Sequence, residues 1–326
     1  MHAQMSIIRD IIYAAVAHGA DFYGLCEALD IDPEDLNDSE KLVPFEPAAR
    51  VWDVALEQTK DPLLGLHIGR EISATILGMT GYLMENSRTL QEALIMFCKF
   101  NNLYSTMLEY SVTNEENRTR IQYQPHTMWE KKFPESARQS VEISMAGLLR
   151  LFYLMADRKI IPVKAELMYT KRYVREYESI LGCPIEFGAE RNALIFNSQE
   201  LLSPINRHDV SLFSFFNNAL QQKLAERSAQ KGLTETIHDL ILTKFKGRVP
   251  PIEIVASALC LTPRSLQRKL KEENTTFRNL GNEIKKELTT RLMGNTPVKV
   301  KDLAGLLGYS DSSAFRKAFK KWNQRS

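Results

Sequence analysis

The sequence predicts an α+β N-terminal domain, helices plus a small sheet, followed by an all-α C-terminal domain of two helix-turn-helix subdomains. Three observations predict this. A unit is written twice near the C-terminus, as Ile252–Lys271 and again as Val300–Lys320. Upstream, the apolar spacing changes from a helical period to strict alternation near Met107 and returns to a helical period at Pro134. Charge is also divided: residues 233–326 hold 18 Lys and Arg against 9 Asp and Glu, a net +9, while the remaining 24 basic and 31 acidic residues leave the rest at −7. A basic end on an acidic body points to a polyanionic partner at that end.

The N-terminal elements follow in order. Ile8, Ile11, Ile12, Ala15 and Val16 recur at helical spacing up to a stop near Gly19. Pro44 and Pro47 open a second helix through Leu56, and Asp61-Pro62 starts a short third. Thr89 is placed to cap a helix through Tyr104, with Leu90, Ala93, Leu94, Phe97 and Phe100 on one side. Met107–Thr113 and Arg118–Gln124 then read as a hairpin around the polar turn Asn114–Asn117. Pro134 to Asp157 is helical, Pro162–Tyr169 a strand and Tyr173–Leu181 a helix. Ile185–Phe187 and Ala193–Phe196 are short strands, and His208–Arg227 is the last amphipathic helix. Mixed helices and strands of this kind make an α+β domain, residues 1–225. The polar stretch 226–234 reads as a linker, and 235–326 is helical throughout.

In the repeated unit, Ala256 corresponds to Ala304, while Leu266 and Leu270 correspond to Phe315 and Phe319, so the second turn is longer by one residue. Thr262 caps a helix whose first position is Pro263, a strong start signal. With Leu266 and Leu270 facing the core, Arg264, Gln267, Arg268 and Lys271 lie on the opposite face. These donors suit guanine and adenine edges and phosphates. In the second unit Gly308 ends the first helix, Tyr309 fills the turn, and Ser310 or Asp311 caps the next. Phe315 and Phe319 face inward, leaving Ser312, Ser313, Arg316, Lys317 and Lys320 for DNA. A connecting helix, Thr275–Met293, with Phe277, Leu280, Ile284, Leu288 and Leu292 as its buried stripe, would fix the spacing of two reading helices. Successive grooves on one face of a duplex lie about 34 Å apart.

Other chemistry is not legible. The six histidines are scattered, with no HExxH, zinc-ligand or P-loop spacing, so no metal, cofactor or catalytic group is expected. Arg207-His208-Asp209 precedes a helix and reads as a cap. Cys26, Cys98, Cys183 and Cys260 form no CxxC pair, which fits reduced thiols in the cytoplasm. Cys98 or Cys183 could sense redox state, although a buried small hydrophobe is the expected role. No apolar run is long enough to span a bilayer, and Arg9 and Asp10 interrupt the first apolar stretch, so neither a membrane segment nor a signal peptide is expected.

The segment Leu266-Gln267-Arg268-Lys269-Leu270, Phe277, and Leu307-Gly308-Tyr309-Ser310-Asp311 followed by Ser313-Ala314-Phe315 and Ala318–Trp322 resembles the DNA-binding domain of the AraC/XylS family of bacterial transcription regulators. That resemblance implies seven helices in two subdomains, both entering the major groove. On matching positions it assigns base contacts to Arg264, Gln267 and Arg268, then to Ser312, Ser313, Arg316 and Lys317. Trp52, Thr59–Leu66, Gly78–Met84, Ser87–Ala93, Gly182–Gly188 and Asn192–Phe196 resemble the arabinose-binding-like effector module of the ornithine-regulator-like branch. Asn274 stands where that branch often has Gly, and Lys285 where Arg is usual. The family usually continues past the position of Ser326 into a closing helix, so a trimmed end or an unbraced second subdomain is expected.

The resulting expectation is a cytoplasmic, sequence-specific regulator of promoter DNA whose N-terminal domain binds a small-molecule effector and dimerises, with RNA polymerase as a further partner. Amino acids, fatty acids and other small metabolites are all allowed as effector. Met96, Phe97, Phe100, Tyr104 and Met107 fit an apolar pocket but fit core packing better. The wide stripe Leu212, Phe213, Phe215, Phe216, Ala219, Leu220 and Leu224 suits the core, a dimer seam, or both. Two alternatives remain: an effector-independent regulator controlled by a protein partner, and an enzyme tethered to DNA.

Overall fold

The computed structural model describes residues 1–230, 232–245, 247–295 and 312–323. The chain forms two compact units, Met1–Leu224 and Ala225–Ser326.

The first unit combines helices with a five-stranded sheet. Its helices are α1 (Met5–Ala17), α2 (Phe22–Leu29), α3 (Phe45–Thr59), α4 (Leu64–Gly69), α5 (Gly78–Glu85), α6 (Leu90–Phe100), α7 (Thr127–Lys132), α8 (Pro134–Ala156), α9 (Val174–Leu181), α10 (Ser198–Leu201) and α11 (Val210–Gln230). Strands β1 (His2–Gln4) and β2 (Leu42–Pro44) form a separate antiparallel pair. The larger sheet contains β3 (Leu108–Glu115), β4 (Arg118–Pro125), β5 (Lys164–Leu167), β6 (Ile185–Phe187) and β7 (Asn192–Asn197), in the spatial order β3-β4-β7-β5-β6. All its neighbours are antiparallel except β5 and β6.

Local chemistry explains the boundaries. Thr89 accepts a hydrogen bond from Glu92 N at 3.2 Å, and the Glu92 carboxylate accepts from Arg88 N at 2.7 Å, so the start of α6 is closed from both sides. α6 ends at Phe100, earlier than the expected Tyr104. A 3₁₀ turn follows, in which Asn101 Nδ2 donates to Leu108 O at 3.0 Å and bends the chain into β3. The hairpin pairs as far as Glu115 with Arg118, so its turn shrinks to Glu116-Asn117, with Glu116 at φ 49°. Asp209, expected as a cap, accepts from Ser211 N and Leu212 N at 2.8 and 2.9 Å and opens α11.

The long helix α8 organises the unit. It crosses α4 so closely that a β-carbon on Gly65 would run into Gln139 O, and one on Gly69 would lie 2.6 Å from Ile143 O. Gln139 fastens the crossing by accepting from Gly65 N at 2.5 Å and donating to Pro62 O at 2.9 Å. Beside it, fully buried Glu142 accepts from Arg138 Nη1 at 2.7 Å and from the Tyr177 hydroxyl. Burial pushes the Glu142 carboxyl up to about 7, against the pull of Arg138.

α11 carries a stripe that serves two environments. Leu220 is buried in a cluster with Leu83, Phe100, Leu103 and Tyr104, and Phe216 stacks on Tyr82 at 5.4 Å. Val210, Leu212 and Phe215 face outward, Phe215 at 64% exposure. Residues 226–230, read from sequence as the start of a linker, continue this helix, and the next begins at Leu233. Glu226, Arg227, Ala229 and Gln230 are good helix formers, which is why this polar stretch is helical.

The second unit contains α12 (Leu233–Thr243), α13 (Ile252–Ala258), α14 (Pro263–Glu272), α15 (Phe277–Asn295) and a further helix, Ser312–Asn323. Ile237, Ile241, Val255, Ala256, Leu266, Leu270, Leu280 and Ile284 make one apolar core from α12 to α15. The expected features at Ala304, Leu307 and Gly308 to Asp311 lie outside the described residues, as does the stretch linking α15 to the last helix.

Candidate functional site

α13 and α14 form a helix-turn-helix. The turn runs through Cys260, in the left-handed region at φ 54°, to Thr262, whose hydroxyl accepts from Ser265 N at 3.1 Å with Pro263 at the first helical position. The far end of α14 is closed with equal definition. Asn274 N donates to Lys271 O and Thr275 N to Leu270 O, each at 3.0 Å, with Asn274 at φ 57°. This is a Schellman closure with Asn in the place usually taken by Gly, as the sequence suggested. Between these ends Leu266 and Leu270 are buried, while Arg264, Gln267, Arg268 and Lys271 are exposed. Arg268 reaches Glu272 at 3.8 Å, but both side chains are mostly exposed, so the pair costs little to break.

The Ser312–Asn323 helix repeats this arrangement in aromatic form. Phe315 is buried and stacks on Phe319 at 5.9 Å, while Ser313, Arg316, Lys317 and Lys320 are exposed and Ser312 is half-buried. Lys285, in the connector, is half-buried, and desolvation lowers its pKa.

The first unit holds an apolar cavity of about 130 Å³ between α1, α3, α6, α8 and the β3–β4 hairpin. Ile11, Trp52, Phe97, Met107, Ile143 and Leu148 contribute to its wall. Of the pocket-or-core residues singled out by sequence, Phe97 and Met107 line it, whereas Phe100 and Tyr104 pack into the cluster under α11. The sequence reading missed its polar members. Tyr110 and Tyr123 are directly paired across β3 and β4 and meet edge to face at 5.6 Å. Tyr110 Oη lies 2.9 Å from Ser144 Oγ on α8. Tyr123 is 1% exposed, and its hydroxyl has no hydrogen-bond partner among the described residues. Burial raises the pKa of both phenols, so both remain neutral. The signal was present in the hairpin alternation, which puts Leu108, Tyr110, Ile121 and Tyr123 on one inner face.

Among the described residues no cluster of His, Cys, Asp and Glu could hold a metal ion. Burial pushes the Cys98 thiol up to about 11 and the Cys183 thiol up to about 12, which suits packing better than redox chemistry. No described helix is long and apolar enough to cross a membrane.

A helix-turn-helix with a cationic outer face, in the same chain as an α+β unit, defines a DNA-binding transcription regulator. Residues 19–205 match the family model for the arabinose-binding domain of AraC transcription regulators, and residues 255–326 match a helix-turn-helix domain model. The chain belongs to the AraC family. It is 24% identical to the ornithine utilization regulator of Pseudomonas aeruginosa, over 94% of this chain and 89% of the relative. It is 22% identical to the regulator VirS of Mycobacterium tuberculosis, over 93% and 88%. The crystal structure of the regulator CdpR from Pseudomonas aeruginosa aligns at 21% identity and a TM-score of 0.45, over 92% of this chain and 93% of that one.

Proposed function

We propose that this AraC-family chain is a cytoplasmic, sequence-specific regulator in which residues 1–225 bind a small effector and dimerise, and residues 235–326 read promoter DNA through two helix-turn-helix units. The observation that carries this reading is the face of α14: Arg264, Gln267, Arg268 and Lys271 stand in solvent directly behind buried Leu266 and Leu270. Arg268 and Gln267 have the donor geometry for guanine and adenine edges. Arg264 shares in base contact, and Lys271 and Lys320 grip phosphates. Ser312, Ser313, Arg316 and Lys317 form the second reading set. The outward residues Val210, Leu212 and Phe215 of α11 support a seam between two copies of the chain. RNA polymerase contact follows if the protein activates transcription.

The cavity favours an effector-sensing regulator over one controlled only by a protein partner. An effector acts by binding two arrangements of the protein unequally and so shifting the placement or pairing of the DNA-binding units. Selection of bound sequences from a random DNA pool by the full chain tests the reading. An enriched motif with two blocks about one helical turn apart supports it. Recovery of DNA with no shared motif contradicts it.

A further inference from the structure

We infer that the effector is a neutral, largely apolar molecule about the size of a substituted benzene ring, held by one hydrogen bond to the Tyr123 hydroxyl. This rests on the sensing role proposed above and deepens it by naming the ligand class.

Size comes first. The cavity measures about 130 Å³. An engineered apolar cavity of roughly 150 Å³ takes benzene, so a single ring with a short substituent, or a short chain, is the scale that fits. Charge comes next. Among the described residues, no Asp, Glu, Lys, Arg or His lines the wall. A zwitterionic amino acid would have to shed its hydration with no opposite charge to meet, which is strongly unfavourable. A sugar fails for a related reason, because each of its hydroxyls needs a partner.

The polar groups in the wall are mostly committed. Ser144 Oγ donates to Ser140 O at 2.7 Å and meets Tyr110. Asn101 Nδ2 donates to Leu108 O, and Ser105 Oγ accepts from Met107 N at 3.1 Å. Among the described residues that line the wall, Tyr123 is the one whose side chain carries a buried polar atom without a partner. A buried hydroxyl left unsatisfied is unfavourable. A ligand with one hydroxyl or carbonyl group would satisfy it, and the remainder of such a ligand would meet a wall that is mostly apolar.

Calorimetric titration of the full chain with 4-ethylphenol, ethylbenzene and L-ornithine tests this. The first two probes differ by one hydroxyl, and ornithine matches 4-ethylphenol in heavy-atom count. Both aromatics are expected to bind at one site per chain, and ornithine is not. Tyr123→Phe is expected to weaken 4-ethylphenol about three- to tenfold more than ethylbenzene, the worth of one hydrogen bond. Equal effects of Tyr123→Phe on both aromatics, or no binding of either, overturn the inference. A second readout, DNA affinity of the full chain with each probe, separates the two levels. If ornithine shifts DNA affinity and the aromatics do not bind, the ligand class fails while sensing stands. If 4-ethylphenol binds as expected yet leaves DNA affinity and dimer level unchanged, the ligand class stands while its role in sensing fails.

Discussion

Glu273, just past the end of α14, closes the start of α12: its Oε1 accepts from Leu233 N at 2.5 Å and its Oε2 from Thr234 N at 2.8 Å. Two otherwise free N–H groups are thereby satisfied by a residue distant in sequence, and α14 is tied to the helix that opens its unit. Desolvation acts the other way, but these donors hold the Glu273 carboxyl below its ordinary range.

Glu273→Ala is expected to destabilise α12 by about 1 kcal/mol, a modest figure because the carboxylate is exposed. A depressed carboxyl contributes stability above its unfolded-state pKa and loses it as pH falls through the folded value. The contribution is therefore present at neutral pH and fades below the ordinary value of 4.5. Hydrogen exchange in α12 reads this directly: variant and wild type should differ at pH 7 and converge in acid.

Glu142 shifts the opposite way. Its folded pKa is raised to about 7 from 4.5, so the folded state holds the proton more tightly between these values. Stability should then fall as pH rises through that window, by roughly 1–3 kcal/mol. Glu142→Gln, which mimics the protonated form, should flatten that slope in urea denaturation at pH 5 and pH 8. A variant with the same slope as wild type would remove Glu142 as its source.

Tyr123→Phe should leave the free protein as stable as wild type or more stable by about 1 kcal/mol, because it removes a buried hydroxyl that has no protein partner. Thermal unfolding checks this, and a loss of several kcal/mol would show that the hydroxyl is already satisfied.

Much of the fold was legible in the sequence, and the particulars show why. α8 was expected from Pro134 to Asp157 and runs from Pro134 to Ala156, because proline and a residue in the left-handed region mark its ends. Ile185–Phe187 was found at its expected bounds. β1 and β2 escaped notice because each runs straight into a helix with no turn residue between, β1 into α1 at Met5 and β2 into α3 at Phe45. The exposed face of α14 was legible because Leu266 and Leu270 fix which side is inside. The cavity was not, since a residue that lines a void and one that fills a core have the same apolar signature. Only the tertiary arrangement shows that Phe97 lines the void while Phe100 packs elsewhere. Buried Arg138 and Glu142 look like an ordinary surface pair one helical turn apart.

Lys320→Ala should weaken binding to all DNA sequences alike and make the salt dependence shallower by about one unit, as expected for one lost phosphate contact. Fluorescence anisotropy across a salt series measures it, and a loss confined to particular sequences would contradict the phosphate role.

The most direct test is the base-preference profile of Arg268→Ala. Affinities of wild type and variant are measured against the selected DNA motif and all its single-base-pair changes at one salt concentration. The expected result is a loss of discrimination at one base position, by about 1–3 kcal/mol, with the other positions unaltered. A variant that discriminates at every position as wild type does would contradict base reading by α14.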